Sequence, residues 1–496
     1  MDMQLRIPLH AFFSLFFTLI IACGSDAWGE ESSIGTINLP ELGSPSDQYL
    51  TPADEKRLGK AFMQSVRQTE PVVTDPLISE YIQNLGNQLL KHSDAAAQPY
   101  HFFVIEKPVI NAFAGPGGYI GIFSGLILST QSESELASVI AHEIAHVTQK
   151  HLLRAFDAAN QMSGKTAALI LAAILLGATV SPDAGIAIAS SAQAGALQEQ
   201  INFTRSNEQE ADHVGIRILA DADYDPRAMP IFFERLTHAN RLFDSGIPEI
   251  LRTHPVTTNR VADALNRAEE YAYRQYTGSM DYYLVREALR ARQFDSPEKA
   301  VKHFQAGLKD GRFLNKEAHQ YGYALALIAN QEYEVARELL SQLLKQRPTQ
   351  TEYLLAEAEI ANQTGQQKLA LQSLAAANAL MPDNYPLAIA YIENLLEADK
   401  PKLAKQITAQ LRSLRPNDAR LFRLAGRAEE LLGKTTESHR LLAEAYVADG
   451  QLEAAVQQLK IAEKSDEKTD FYLSSQIESR LQELEQILKQ IKQAEK

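Results

Sequence analysis

The chain has 496 residues, 22% of them charged, a net charge of −14 and a single cysteine. That length exceeds what one hydrophobic core usually serves, so two or more domains are expected. An acidic chain without a long basic run excludes duplex nucleic acid as a partner, and one cysteine excludes both a disulfide framework and a cysteine-ligated metal.

In chain order, Arg6 is followed by the apolar run HAFFSLFFTLIIAC and then by GSDAWGE, the layout of a secretory signal peptide over residues 1–29. The mature protein is therefore expected beyond the inner membrane, with an uncleaved N-terminal anchor as the alternative. Cys23 stands where a lipoprotein would be processed, although Ile21 occupies a position usually held by a smaller residue. Lipid anchoring through Cys23 and cleavage near Ala27 or Gly29 both remain open.

TPADE at residues 51–55 reads as a helix start with Thr51 as cap and Pro52 in the first turn. Helical periodicity continues through PLISEYIQNLGNQLLKH. From Tyr100 the period changes to short β-rich runs, YHFFVIE, VINAFAG and YIGIFSG, interrupted by a Pro116-Gly117-Gly118 turn, which predicts two or three strands. SESELASVIAHEIAHVTQKHLL then predicts a helix opened by a capping box of Ser132 and Glu135. Residues 164–195 carry no charge between Lys165 and Asp183, but the unbroken apolar part is shorter than the ~20 residues of a spanning helix. A buried or lid-forming helical hairpin is the expectation there, a transmembrane segment the alternative.

Beyond about residue 280 the sequence is helical and periodic. Pro348, Pro382 and Pro416 lie 34 residues apart, as do Ala336, Ala370 and Ala404, and Gly365 and Gly433 fall two periods apart. Two residue types sharing one period indicate a repeat. The period and helix-turn-helix content resemble tetratricopeptide repeats, which stack into a solenoid with a concave, protein-binding surface. FYLSSQIESRLQELEQILKQIKQ reads as its terminal capping helix.

The chemistry concentrates in AHEIAHVTQKH, residues 141–151. Residues i and i+4 share a helix face, so His142 and His146 can aim two imidazoles at one ion, and Glu143 lies beside them without being a ligand. Zinc hydrolases need this arrangement: the metal acidifies a water, and the carboxylate takes its proton as the water attacks a carbonyl. A third ligand should come from a second helix. TRSNEQEADHVGIRILAD offers Glu208, with Asp212 one turn on to hold a ligand imidazole in the right tautomer. Glu210 is the competing ligand in the same acidic cluster; His213 points elsewhere. The VINAFAG strand could pair with a substrate backbone as an edge strand; Asn111 within it reads equally well as a polar contact or a strand-end turn residue.

HEIAH on one helix, an apolar insert and EQEAD on a second resemble the gluzincin metallopeptidases of the HtpX and Oma type. LPELG, DPLISEYIQNLGNQLL, INAFAGPGGYIGIFSGLI and the repeat tail are similar to the BepA-like periplasmic branch of that family, over nearly the whole mature chain. The resemblance implies one Zn2+ per chain held by His142, His146 and Glu208, with Glu143 as catalytic base and Asp212 as orienter. It also suggests a role for RTHPVTTNR: Pro255 favours an extended His254, whose ring could take the fourth zinc position and keep the enzyme latent. The implied fold is α+β, a mainly helical zinc metallopeptidase domain with a small β-sheet (residues 30–272) followed by an all-α tetratricopeptide-like solenoid (273–496). The implied function is a zinc endopeptidase and chaperone-like factor of the bacterial periplasm. It would promote assembly of outer-membrane β-barrel proteins, degrade misassembled or stalled ones, and dock on the barrel assembly machinery through its repeats. The rivals are a mainly scaffolding or chaperone protein with latent protease activity, and an integral-membrane quality-control zinc protease.

Overall fold

In the computed structural model, residues 52–95, 99–160, 194–242, 248–465 and 471–494 are described. The expectations for the signal peptide, Cys23 and Thr51, and for the apolar stretch up to residue 193, lie outside these residues. Helix α1 (Pro52–Thr69) leads into α2 (Pro76–Leu90), where Asp75 caps the first turn by accepting the Leu77 N–H at 2.9 Å and Pro76 takes a position that needs no donor. Three strands follow: β1 (His101–Ile105), β2 (Ala112–Ala114) and β3 (Tyr119–Phe123). The sheet order is β1-β3-β2, parallel between β1 and β3 and antiparallel between β3 and β2, with Phe113 opposite Gly121. This leaves β2 as an edge strand. The Pro116–Gly118 turn carries Gly117 at φ 69°, a left-handed conformation that glycine adopts without penalty.

Helices α3 (Ser124–Ser129), α4 (Glu133–Thr148), α5 (His151–Asn160), α6 (Ala194–Asp221), α7 (Ala228–Leu242), α8 (Glu249–Thr253) and α9 (Thr258–Glu269) complete the N-terminal part. Its core packs Ile78, Ile82 and Leu85 of α2, Val104, Ile120 and Ile122 of the sheet, and Leu136, Ile140 and Ile144 of α4 with Ile216, Leu219 and Phe232. Every residue of α4 from Glu133 to Ala145 is buried. The helix that carries the histidine motif is therefore central to the core.

The remaining helices come in pairs: α10 (Met280–Arg292) with α11 (Pro297–Asp310), α12 (Lys316–Ala329) with α13 (Tyr333–Gln346), α14 (Thr351–Gln363) with α15 (Gln367–Leu380), α16 (Tyr385–Glu397) with α17 (Pro401–Leu414), α18 (Ala419–Leu431) with α19 (Thr435–Ala448), and α20 (Leu452–Glu463) with the longer α21 (Phe471–Ala494). The spacing in the sequence has a physical basis at each recurring position. Ala336, Ala370 and Ala404 are fully buried on successive second helices, where a larger side chain would hold the helices apart. Pro348, Pro382 and Pro416 sit between pairs, where a helix must stop. The turns inside the four central pairs carry a left-handed residue, supplied by Gln331, Gly365, Asp399 and Gly433 at φ 63°, 72°, 53° and 76°. Only alternate turns use glycine, so the glycine signal in the sequence appeared at twice the true period.

The solenoid folds back on the N-terminal part. Tyr282, Val285 and Leu289 of α10 belong to the core of that part, while Leu284 and Ala288 of the same helix belong to the core of the first repeats. Helix α10 is thus shared by both cores, and the two parts form one compact unit. Glu133, at the start of α4, accepts from the Tyr81 hydroxyl (3.0 Å) and from the Ser279 N–H and hydroxyl (2.7 and 2.6 Å). Further along, Arg415 lies over the Tyr385 ring and reaches Glu80 at 2.6 Å, and Arg67 reaches Asp449 at 2.6 Å. Helices α10 and α16, each the first of its pair, pack against α2. That face of the repeats is therefore partly filled by the chain itself; a cavity of about 560 Å³ remains between α2, α10, α12 and α14.

Candidate metal centre

Helix α4 starts where the Ser132 hydroxyl accepts the Glu135 N–H at 3.2 Å. The reciprocal half of the expected capping box is displaced by one residue: the Glu135 carboxylate accepts the Gln131 N–H at 2.7 Å and pairs with Arg235. Two turns on, His142 and His146 stand one above the other with their Nε2 atoms 3.0 Å apart. Helix α6 crosses close by because Gly215 faces α4; a Cβ there would lie 3.3 Å from the His142 backbone nitrogen and 3.0 Å from Met229. That approach brings Glu208 within 3.5 Å of both Nε2 atoms and puts Asp212 Oδ1 3.0 Å from His142 Nδ1.

His254 follows α8 directly, its backbone (φ −124°, ψ 82°) out of the helical region ahead of Pro255 but short of the extended form a following proline favours. Its Nδ1 lies 3.0 Å from Glu208 and 3.4 Å from His142 Nε2, and its Nε2 lies 3.5 Å from Glu143 Oε1. One donor atom from each of His142, His146, Glu208 and His254 fits within a 4.8 Å span. The structure thus brings together His142, Glu143, His146, Glu208, Asp212 and His254.

The donor set suits a divalent cation. The outer nitrogens of both motif histidines face acceptors, Asp212 for His142 and His151 for His146, the latter at 2.9 Å. With those nitrogens protonated, two Nε2 lone pairs and a carboxylate point into one space, an arrangement that repels itself until a cation joins it. A tetrahedral ion with bonds of about 2.0–2.1 Å has ligand atoms roughly 3.4 Å apart; with the nearer Glu208 oxygen taken for each contact, every pair but His146–His254 is separated by 3.0 to 3.5 Å, inside the 4.8 Å span of the set. Burial works against charge on His142, but the adjacent Asp212 and Glu208 carboxylates outweigh it and push the ring up to about 10. The attraction that holds a proton there would equally hold a metal ion. Burial raises Glu143, against the opposing pull of His254 and His142, and one of its oxygens is buried with no hydrogen-bond partner. A carboxyl raised in this way is a better proton acceptor than an exposed one.

Of the two competing glutamates, Glu208 faces the histidines, whereas Glu210 turns away to His151 (3.0 Å) and Arg154 (2.5 Å). His213 pairs with Asp263, as expected of a satisfied histidine off the site. Asn111 is buried and serves the backbone: its carbonyl accepts the Ala112 N–H at 3.0 Å and the Thr253 hydroxyl at 3.4 Å, steadying the residue before His254. Edge strand β2 reaches the site through Ala114, whose backbone hydrogen-bonds the Glu143 carboxylate.

Arg260 was missed. Its guanidinium is buried, donates to both Asp212 oxygens at 2.7 and 2.8 Å and to the Pro255 carbonyl at 2.9 Å, and lies 2.8 Å from Glu208 Oε2. A signal existed: two carboxylates buried on one helix face require a buried cation, and RTHPVTTNR ends in one.

Residues 76–268 match the family model for peptidase family M48. Among curated proteins, the chain is 38% identical to the putative beta-barrel assembly-enhancing protease of Vibrio cholerae, over 81% of this chain and 83% of that one. It is 34% identical to the beta-barrel assembly-enhancing protease of Escherichia coli K12, over 92% of each. The mitochondrial metalloendopeptidase OMA1 of Arabidopsis thaliana is 30% identical over 40% of each chain. The chain belongs to peptidase family M48, as a metalloendopeptidase of the beta-barrel assembly-enhancing type.

Proposed function

We propose that the protein is a zinc-dependent endopeptidase of the bacterial periplasm that promotes outer-membrane β-barrel assembly and degrades barrel proteins that stall. The observation carrying this reading is the convergence of His142 Nε2, His146 Nε2 and the Glu208 carboxylate on one point beside Glu143. His142, His146 and Glu208 would hold one Zn2+ per chain, which when bound acts as a Lewis acid toward water and a peptide carbonyl. Glu143 takes the proton of the attacking water and passes it to the leaving amine. Asp212 holds His142 in the tautomer that presents Nε2 inward. The edge of β2 would place the scissile carbonyl by pairing with an extended substrate backbone.

The relatives' names supply the biological setting, and the helical repeats supply a protein-binding surface. Residues 30–272 are assigned the catalysis and 273–496 the docking of substrates or of the barrel assembly machinery; secretion is assigned to residues 1–29, with Cys23 as a possible lipid attachment point. The test is zinc content alongside casein cleavage in the purified mature chain. Wild type should carry one zinc, and Glu208→Ala should lose the metal and cleavage together; full zinc in that variant would refute Glu208 as a ligand.

His254 supplies a fourth donor in the resting enzyme and so occupies the place the reacting groups need. His254→Ala should therefore raise basal casein cleavage several-fold with zinc retained. Equal or lower cleavage at full zinc content would end the latency assignment.

A further inference from the structure

The two motif histidines are held from behind in different ways. His142 Nδ1 meets a carboxylate directly, at Asp212, whereas His146 Nδ1 meets another imidazole, His151 Nδ1, at 2.9 Å. His151 Nε2 in turn lies 3.0 Å from Glu210 Oε2, and Arg154 donates to that same oxygen at 2.5 Å and to Asn207 at 3.1 Å. Only one donor order satisfies a neutral pair. If His151 donated from Nδ1 to His146, its Nε2 lone pair would face the Glu210 carboxylate. If His146 donates from Nδ1, His151 carries its hydrogen on Nε2 and donates it to Glu210, and every contact is made.

The backbone is arranged for this contact. In an unbroken helix a residue five positions on lies about 140° round the axis, too far for His151 to reach the outer edge of His146. Helix α4 ends at Thr148, Lys150 takes φ 53°, a conformation that favours glycine, and α5 begins at His151. The left-handed residue swings the chain so that His151 returns, buried, beneath His146.

We propose that His151 and Glu210 are positioning residues for the metal centre, forming a carboxylate–imidazole–imidazole relay that fixes the ring plane and tautomer of His146. This rests on the zinc-site reading above. Ligand histidines generally donate their outer N–H to a carboxylate, carbonyl or water, and loss of such a partner commonly costs 10–100-fold in metal affinity. Here the acceptor is a second histidine, and Glu210, unsuited by its direction to be a ligand, acts one ring further out. Its side chain is 37% exposed where that of His151 is 5% exposed, so the inner member of the relay should matter more.

The experiment is the zinc Kd of the full mature chain, by equilibrium competition with a chromophoric chelator, for wild type, His151→Ala, His151→Gln and Glu210→Gln. Thermal unfolding of the chelator-treated proteins serves as the fold control. NMR of 15N-histidine-labelled zinc protein reports the His146 tautomer. His151→Ala should bind zinc about 10–100-fold more weakly and lose the protected Nδ1–H signal of His146. His151→Gln, whose amide offers both an acceptor and a donor, should recover most of the affinity, and Glu210→Gln should lose about three- to ten-fold. A folded His151→Ala chain with zinc Kd within two-fold of wild type overturns the relay. Should His151→Ala not fold, an unchanged Kd in Glu210→Gln overturns it instead. A wild-type chain that binds no zinc refutes the metal site itself and is recognised as such before any variant is compared.

Discussion

Glu143→Gln should lower peptide-bond cleavage by about 10²–10⁴-fold, the usual contribution of a general base, and leave one zinc per chain. The substitution keeps the size of the side chain and an oxygen to accept the hydrogen bond from the Ala114 backbone. What it removes is the ability to take a proton. Glu143 lies outside the group of side chains that can share an ion, His142, His146, Glu208 and His254, so metal content should not follow activity. The measurement is casein cleavage at saturating enzyme together with zinc content; cleavage within ten-fold of wild type, at full zinc, would remove Glu143 from the role of base. The same variant separates proteolysis from scaffolding. Cells that rely on it should accumulate stalled barrel proteins, and full biological function from it would favour the mainly scaffolding reading.

What the sequence disclosed follows a physical divide between local and non-local order. His142 with His146, and Glu208 with Asp212, are pairs separated by one helical turn, and a helix fixes such pairs on one face whatever lies around it. Glu208, unlike Glu210, has a carboxylate one turn on, and it is the one that faces the two histidines. The repeats were legible because each has the same packing problem, answered by alanine at 336, 370 and 404 and by a helix stop at 348, 382 and 416. Less legible were features produced by chain reversals. His151 reaches His146 only through the left-handed Lys150, and Gln331 and Asp399 hold turn positions that elsewhere carry glycine. The seating of α2 against α10 and α16 was not legible at all, since a 34-residue period specifies how repeats stack and says nothing about what packs against them.

Arg260→Met should destabilise the metal-free protein by about 3–5 kcal/mol, the range for leaving a buried charge without its partner. The arginine is 3% exposed and its guanidinium serves Asp212, Glu208 and the Pro255 carbonyl together. Methionine fills much of the volume and can pack on Phe233, whose ring lies 5.1 Å from the guanidinium, so the loss is electrostatic more than steric. Both carboxylates would remain buried among groups arranged for a cation. Arg260→Lys should recover only part of the loss, because one ammonium cannot reproduce a planar fork across both Asp212 oxygens while reaching Glu208. Urea unfolding in the presence of chelator measures the effect, and a variant within about 1 kcal/mol of wild type would show that the pairing adds little. Adding Asp212→Asn to Arg260→Met removes one orphaned charge, so the double variant should regain about 1–3 kcal/mol over the single one. The energetics would then explain why RTHPVTTNR supplies two residues to the centre. His254 enters from the metal side and Arg260 from behind the carboxylates, so the same segment that closes the site also holds its acidic wall in place.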